Sequence, residues 1–393
     1  LTVGAILLFL VTLLSIYLTK SGIIDLRTSA NKARYGEAMA QAERRLEIGM
    51  GWMSSNANRA TLVSATFNPC STFASPISQL GSTWVCRTES STYSDGAASV
   101  TDTFTLATPA GSGNKALFYV IGQGSSADGT ASAVVRQGTF FLGGATNLDN
   151  TPPITAAGNV ALGGNFNVIA NPNAGGTGVP VSIWSQVTVP APSGAAKSCH
   201  LGDYLRDENC SAAPISSKDG KGLDIADGDA NFPPDLMAYL FGVPMGSYAT
   251  VKAQAQQVTD CGTLNAATTG IVWATGQCNI SGTVGSQNAP VLLVVESAEF
   301  ILRAGSRFYG LVFAFAPTPG ADGRYDAGDI TGNGGGRIYG VVVSNDTTVV
   351  GQTLNGTFDL VHDATVMRQL AAPVNTQFRV VGRTPASWAD YLP

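Results

Sequence analysis

The first nineteen residues, LTVGAILLFLVTLLSIYLT, carry no charge, and Lys20 ends the run. No other stretch restricts the fold as strongly, because a segment this apolar must be covered by lipid or by protein. A membrane helix takes about 17–25 predominantly apolar residues. Twelve of residues 1–18 are Leu, Ile, Val or Phe, which favours insertion by about 4–7 kcal/mol before Thr2, Thr12 and Ser15 count against it. A secretory signal would show a basic start and a small-residue cleavage site; neither is present. A buried core helix rarely stays uncharged for so long. The run is therefore expected to be a membrane-spanning helix.

The next segment, KSGIIDLRTSANKARYGEAMAQAERRLEIGMGWM, has six basic and four acidic residues. Leu26, Ala30, Ala33, Ala38, Ala42, Leu46 and Met50 recur at helical spacing. The helix is thus predicted to continue out of the membrane as an amphipathic rod. Gly22 is a weak point in it, and Gly49 and Gly51 mark its expected end.

Beyond Trp52 the texture changes. TWVCRTES, SVTDTFTLAT, KALFYVIGQG and ASAVVRQGTFFLGG have the pattern of antiparallel strands, and FYVIGQGSSADGTASAVVRQGTF that of two strands around a Ser/Asp/Gly turn. After Pro152 come short apolar runs broken by Gly and Asn, with PPDLMAYLFGVP as a short helix. GSRFYGLVF (305–313) and GGRIYGVVV (335–343) align at a spacing of 30, with Gly, Arg, Tyr and Gly identical. Repeated short strands joined by Gly/Asn corners suggest stacked rungs; a β-sandwich is the alternative. The expected class is α+β. It comprises a long helix (1–53), an antiparallel β domain (54–150), a Gly-rich region with β-helix- or solenoid-like rungs (151–385, with a disulfide-bearing insertion at 190–260) and a tail (386–393).

Composition agrees with this division. Charged residues are only 12% and Gly numbers 46, which suits turn-rich β structure. A net charge of −5 gives no electrostatic case for nucleic acid or anionic lipid. The six cysteines fall in three close pairs, Cys70/Cys86, Cys199/Cys210 and Cys261/Cys278. Six allow fifteen connectivities, of which this clustering favours the three local ones. Local disulfides imply an oxidising compartment.

An apolar N-terminus, a helix half in and half out of the membrane, and a β domain together resemble the type IV pilin and type II pseudopilin superfamily. The PilX-like minor pilins, in an enlarged form, are the nearest resemblance. The likeness rests on residues 1–53, the hairpin FYVIGQGSSADGTASAVVRQ, GNFNVIANPN with VPVSIWS, FPPDLMAYLFGVP, PVLLVVESAEF, RFYGLVFAF and the terminal SWADYLP. The resemblance implies that Leu1 is the mature N-terminus left by a prepilin peptidase, often N-methylated. It implies storage in the inner membrane, then packing among other minor and major pilins and a pilus-tip adhesin, with a role in adhesion or motility. Most members carry glutamate at the fifth position, paired with the N-terminal amine of the subunit above; here the residue is Ala5. A tip subunit has no subunit above it and would leave such a carboxylate unpaired, which is costly in a low-dielectric core. A shaft subunit or a secretion pseudopilin remains the alternative within the class.

Other candidate sites compete with plainer readings. Asp227, Asp229 and Asn231 have the one-three-five oxygen spacing of a calcium loop, with Asp235 at the ninth position. Phe232 stands where that loop has its turn glycine, and Ala238 where it has its bidentate glutamate. The plainer reading is an acidic turn before a short helix. Asp322, Asp326 and Asp329 form a weaker cluster. Glu296, Glu299, Asp359 and Asp363 could serve a membrane-anchored β-helix that binds or cleaves polysaccharide. His200 and His362 lack a nucleophile-elbow motif nearby. The expectation is a structural protein without catalysis.

Overall fold

The structure, a computed structural model, describes residues 2–55, 58–59, 61–62, 65–95, 98–110, 117–142, 148, 151–170, 180–372, 379–384 and 387–391. The chain divides into two compact units. One comprises Leu1–Trp52, Thr66–Phe140 and Arg383–Pro393; the other comprises Met53–Ala65 and Phe141–Gly382.

In the first unit, helix α1 (Thr2–Ser54) packs on an antiparallel sheet. The strands are β1 (Asn68–Pro69), β2 (Trp84–Asp95), β3 (Ala98–Pro109), β4 (Leu117–Ser125) and β5 (Ser132–Leu142). A last strand late in the chain, Val380–Arg383, completes the order β1-β2-β3-β4-β5 beside β5. The expected hairpin is β4–β5, in register from Leu117 opposite Phe140 to Ser125 opposite Ser132. Asp128 fixes its turn by accepting hydrogen bonds from the Ser126 hydroxyl and from the Thr130 amide and hydroxyl.

The helix meets the sheet along a face of small residues. Ala38, Ala42, Leu46 and Met50 are buried at a spacing of four. The expected face also included Leu26, Ala30 and Ala33, and these are exposed, Leu26 at 73%. Periodicity marks an apolar face but not how much of it the chain's own sheet will cover. Nor does α1 stop at Gly49 or Gly51. At Gly49 a Cβ would meet Val120 at 2.5 Å and the Phe104 ring at 2.9 Å, so this glycine serves close approach to the sheet and not termination.

The second unit is a large sheet whose named strand ladders are all parallel, which rules out the antiparallel sandwich. In chain order its first strands are β6 (Ile154–Ala156), β7 (Val160–Leu162), β8 (Asn165–Ala170), β9 (Ile183–Ser185), β10 (Lys197–His200) and β11 (Ile225–Ala226). Then come β12 (Gln256–Val258), β13 (Gly270–Ala274), β14 (Cys278–Ile280), β15 (Thr283–Val284) and β16 (Val291–Glu296). The remainder are β17 (Phe300–Leu302), β18 (Arg307–Phe315), β19 (Ile330–Ser344) and β20 (Gln352–Val361).

These segments form three parallel stacks. One runs β12-β13-β16-β18-β19-β6-β9-β11. The second runs β15-β18-β19-β20-β8-β10. The third runs β14-β17-β19-β20-β7. The two repeat copies are direct neighbours, with Arg307 beside Arg337, Tyr309 beside Tyr339 and Gly310 beside Gly340. Gly310 and Gly340 have φ of 147° and 144°, and a Cβ on Gly340 would lie 1.9 Å from the Gly310 carbonyl oxygen. The repeated Tyr-Gly step is thus fixed by backbone contact between rungs.

The first stack also explains why its strands show unbroken apolar runs in place of alternation. Val272, Leu293, Val312 and Val342 face one core. Their neighbours Trp273, Leu292, Val294, Leu311 and Phe313 face a second. That second core also takes side chains from helices α3 (Leu236–Phe241), α4 (Tyr248–Gln254) and α5 (Ala364–Ala371). A strand buried on both faces reads as continuously hydrophobic. A further helix, α2 (Leu201–Asp207), follows β10.

Candidate functional site

Leu1 lies outside the described residues. Ala5 falls in α1, and its side chain is outside those described, as are those of residues 2–8, 16, 18, 19 and 21–24. The membrane-span expectation therefore rests largely on side chains that are not described; among the described residues no helix is long and apolar enough to cross a membrane. What is described of this segment is uncovered: Phe9, Leu10, Val11, Leu13, Leu14 and Tyr17 are between 48% and 70% exposed.

Further along, α1 is held to its sheet by charge as well as packing. Arg34 pairs with Asp128 at 2.7 Å, and Arg44 and Arg45 reach Asp102 at 3.4 and 3.2 Å. Arg383 donates to both oxygens of Glu47, at 2.9 and 2.6 Å, and holds that carboxyl below its ordinary range. These pairs are largely exposed, so each contributes at most about 1 kcal/mol.

The six cysteines form three bonds, Cys70–Cys86, Cys199–Cys210 and Cys261–Cys278, separated by 16, 11 and 17 residues. All six are buried. Bonds of this kind persist in extracytoplasmic, oxidising surroundings.

The acidic loop is spent on fold. Asp227 accepts from the Val189 amide and from Lys221, each at 2.7 Å. Asp229 accepts from the Asn231 amide and side chain through one oxygen and from the Trp184 indole through the other. Asp235 caps α3 by accepting from Ala238, and its second oxygen takes the Met245 amide. Among the described residues no three His, Cys, Asp or Glu side chains are grouped to hold a metal. The oxygens of Asp227, Asp229 and Asp235 thus point to N–H donors, and the calcium reading gains no geometric support. Asp322 and Asp326 bond the amides two residues ahead of them.

The other carboxylates singled out by sequence are likewise engaged. Glu296 accepts from Lys252 and the Trp273 indole, each at 2.6 Å. Glu299 accepts from Gln277 and Thr331. Asp359 takes the Tyr204 hydroxyl at 2.6 Å and the Asn167 amide at 2.7 Å. Burial and this carboxylate push the Tyr204 phenol above its ordinary value. Asp363 is the N-cap of α5, accepting from the Thr365 and Val366 amides. That helix was not expected from sequence, although Asp363 two residues before an apolar i, i+1, i+4 set (Val366, Met367, Leu370) is a readable signal.

Periodicity gave no signal for Arg59. It is fully buried, and burial pushes its pKa down to about 10. Its Nη1 donates to the carbonyls of Met53 and Ser54 at 3.0 and 2.6 Å, a cation at the C-terminal end of α1. The same nitrogen reaches Gln254 Oε1 at 3.2 Å. Gln254 in turn behaves as a strand partner: it accepts from the Val381 amide and donates to the Val381 carbonyl.

No protein-family model matches the chain, and no curated protein matches it in sequence. Among solved structures, the competence-associated pilin ComZ from Thermus thermophilus aligns with 90% of this chain and 97% of its own at 14% identity. The TM-score of 0.22 is too low for this alignment to carry an argument about fold or function.

Proposed function

We propose that this chain is a minor pilin of a type IV pilus, a structural and interaction subunit that helps prime assembly and sits at or near the tip. The observation that carries the reading is the division of α1. From Ala38 onward its small-residue face is buried on the sheet, while an uncharged, apolar stretch before Lys20 has nothing from its own chain to cover it. Such a surface calls for lipid or for other helices. The first would hold the subunit in the inner membrane before assembly, and the second would hold it among other pilins in a filament. The three parallel stacks fit a β-helix head of a size that a tightly wound shaft would hardly admit. The role is one of packing and partner contact, without catalysis.

Ala5 supports the tip position, since a glutamate there would find no amine above it. Gold-labelled antibody to residues 154–370 is expected at one end of each filament, and Ala5→Glu is expected to leave pilus number unchanged or reduced. Label along the whole filament, with Ala5→Glu raising incorporation, would replace the tip reading with a shaft subunit.

A further inference from the structure

The first unit contains a cavity of about 520 Å³ lined by Tyr35 and Arg45 of α1, Gln123 and Ser125 of β4, Ser132 of β5, and Asp390, among others. It lies where the sheet parts. β3 and β4 pair only between Thr105–Ala107 and Tyr119–Ile121. Beyond that, Arg45 bridges the two strands, its Nε donating to Asp102 at 3.2 Å and its Nη1 to the Gln123 carbonyl at 2.6 Å.

Three features of the lining point to a ligand. The side-chain Nε2 of Gln123 is buried and has no hydrogen-bond partner, a costly state unless something supplies an acceptor. Asp390 is exposed and makes no hydrogen bond or ion pair among the described residues, so an acceptor is also uncommitted. Tyr35 is 47% exposed and offers a ring beside both.

The ligand must therefore accept a hydrogen bond from Gln123 and donate one to Asp390. A simple anion is disfavoured by Asp390, and an apolar molecule by the Ser, Gln and Arg lining. A sugar hydroxyl both donates and accepts, and the C–H face of a pyranose packs on an aromatic ring. The volume falls within the range of about 300–1,000 Å³ common to small-molecule sites. We propose that this cavity binds a neutral saccharide of one or two units. The proposal is independent of the pilin reading, and it places sugar recognition on the antiparallel unit, away from the parallel stacks.

The test is titration of the full chain with galactose, glucose, mannose and N-acetylglucosamine, read by calorimetry and by saturation-transfer NMR. At least one is expected to bind saturably with a Kd below about 10 mM. Gln123→Leu and Asp390→Ala should each weaken it by about tenfold or more. Gln123→Leu should also melt no lower than the parent chain, because it removes an unpaired buried donor. Asp390→Ala, at an exposed position, keeps the test valid if Gln123→Leu folds poorly. Failure of every sugar to bind, or binding undiminished in both variants, would overturn the proposal. So would binding of a Ser/Gly-rich peptide, but of no sugar, that both variants abolish; the occupant would then be an extended chain.

Discussion

Gly122 lies against Ala42 so closely that no side chain fits between them: a Cβ on Gly122 would sit 2.0 Å from the Ala42 carbonyl oxygen and 2.7 Å from the Leu46 amide nitrogen. Two residues on, Gly124 stands in the same relation to Ala38. Backbone meets backbone, so neither side can yield by rotating a side chain. Gly122→Ala should therefore destabilise the first unit by about 1–3 kcal/mol or more. Gly51→Ala, on the same helix with nothing within 4 Å of the added methyl, should stabilise by up to about 1 kcal/mol. Urea unfolding of both variants checks the contrast in sign.

The buried polar group around Arg59 is expected to be the most sensitive point of the second unit. Gln254→Leu would orphan the amide and carbonyl of Val381 and remove one partner of the Arg59 guanidinium. Each orphaned group costs about 1–3 kcal/mol, so a loss of at least about 2 kcal/mol is expected. Gln257→Leu, at an exposed neighbouring position, should change stability by less than about 0.5 kcal/mol. Thermal melts of the pair separate lost hydrogen bonding from a general effect of leucine.

Replacing Cys261 and Cys278 together by alanine opens a loop of 17 residues' separation. The chain-entropy relation gives a loss of about 3 kcal/mol. Denaturant unfolding of the second unit measures it. Peptide mapping under non-reducing conditions should recover Cys70 with Cys86, Cys199 with Cys210 and Cys261 with Cys278.

Acid should release the contact between Asp227 and Lys221. The Lys221 hydrogen bond, helped by the Val189 amide, holds the Asp227 carboxyl below its ordinary value. A carboxyl depressed in the folded state binds fewer protons there than when unfolded. Its contribution is therefore complete above the unfolded pKa of about 3.9 and is lost as pH falls through the folded value. Because the pair is partly solvated, it contributes no more than about 1 kcal/mol. Lys221→Met should be less stable than the parent at pH 7, and the gap should narrow as pH drops below about 4. A gap that stayed constant down to pH 2 would show that lost packing, not charge, is responsible.

Local geometry was legible in the sequence, and so were some close neighbours. The long helix followed from apolar spacing, the β4–β5 hairpin from two strand patterns around SSADGT, and the adjacency of rungs from the 30-residue repeat. The candidate sites were less legible. Asp227, Asp229 and Asp235 have ligand-like spacing, but spacing does not say whether an oxygen will meet a cation or an N–H group. In this fold Lys221, Trp184 and the Ala238 amide occupy those oxygens.

By itself, the sequence determined where the chain is helix and where it is strand, which face of α1 is apolar, and that Tyr309 and Gly310 would recur one rung on as Tyr339 and Gly340. These are properties of a few dozen consecutive residues, and periodicity reports them directly. Only the tertiary structure decided which edges meet over long separations. The final rung does not end the stack: Val342 pairs with Ile154 and Phe358 with Phe166, so the rung that comes last in sequence lies between the first and those just before it. After Arg383 the chain goes back to the antiparallel unit, where Ala389 bridges Arg136. The physical reason is that a strand edge is recognised through backbone N–H and C=O groups, which are the same in every sequence. Which distant edge fills it depends on the edges the rest of the fold leaves unpaired.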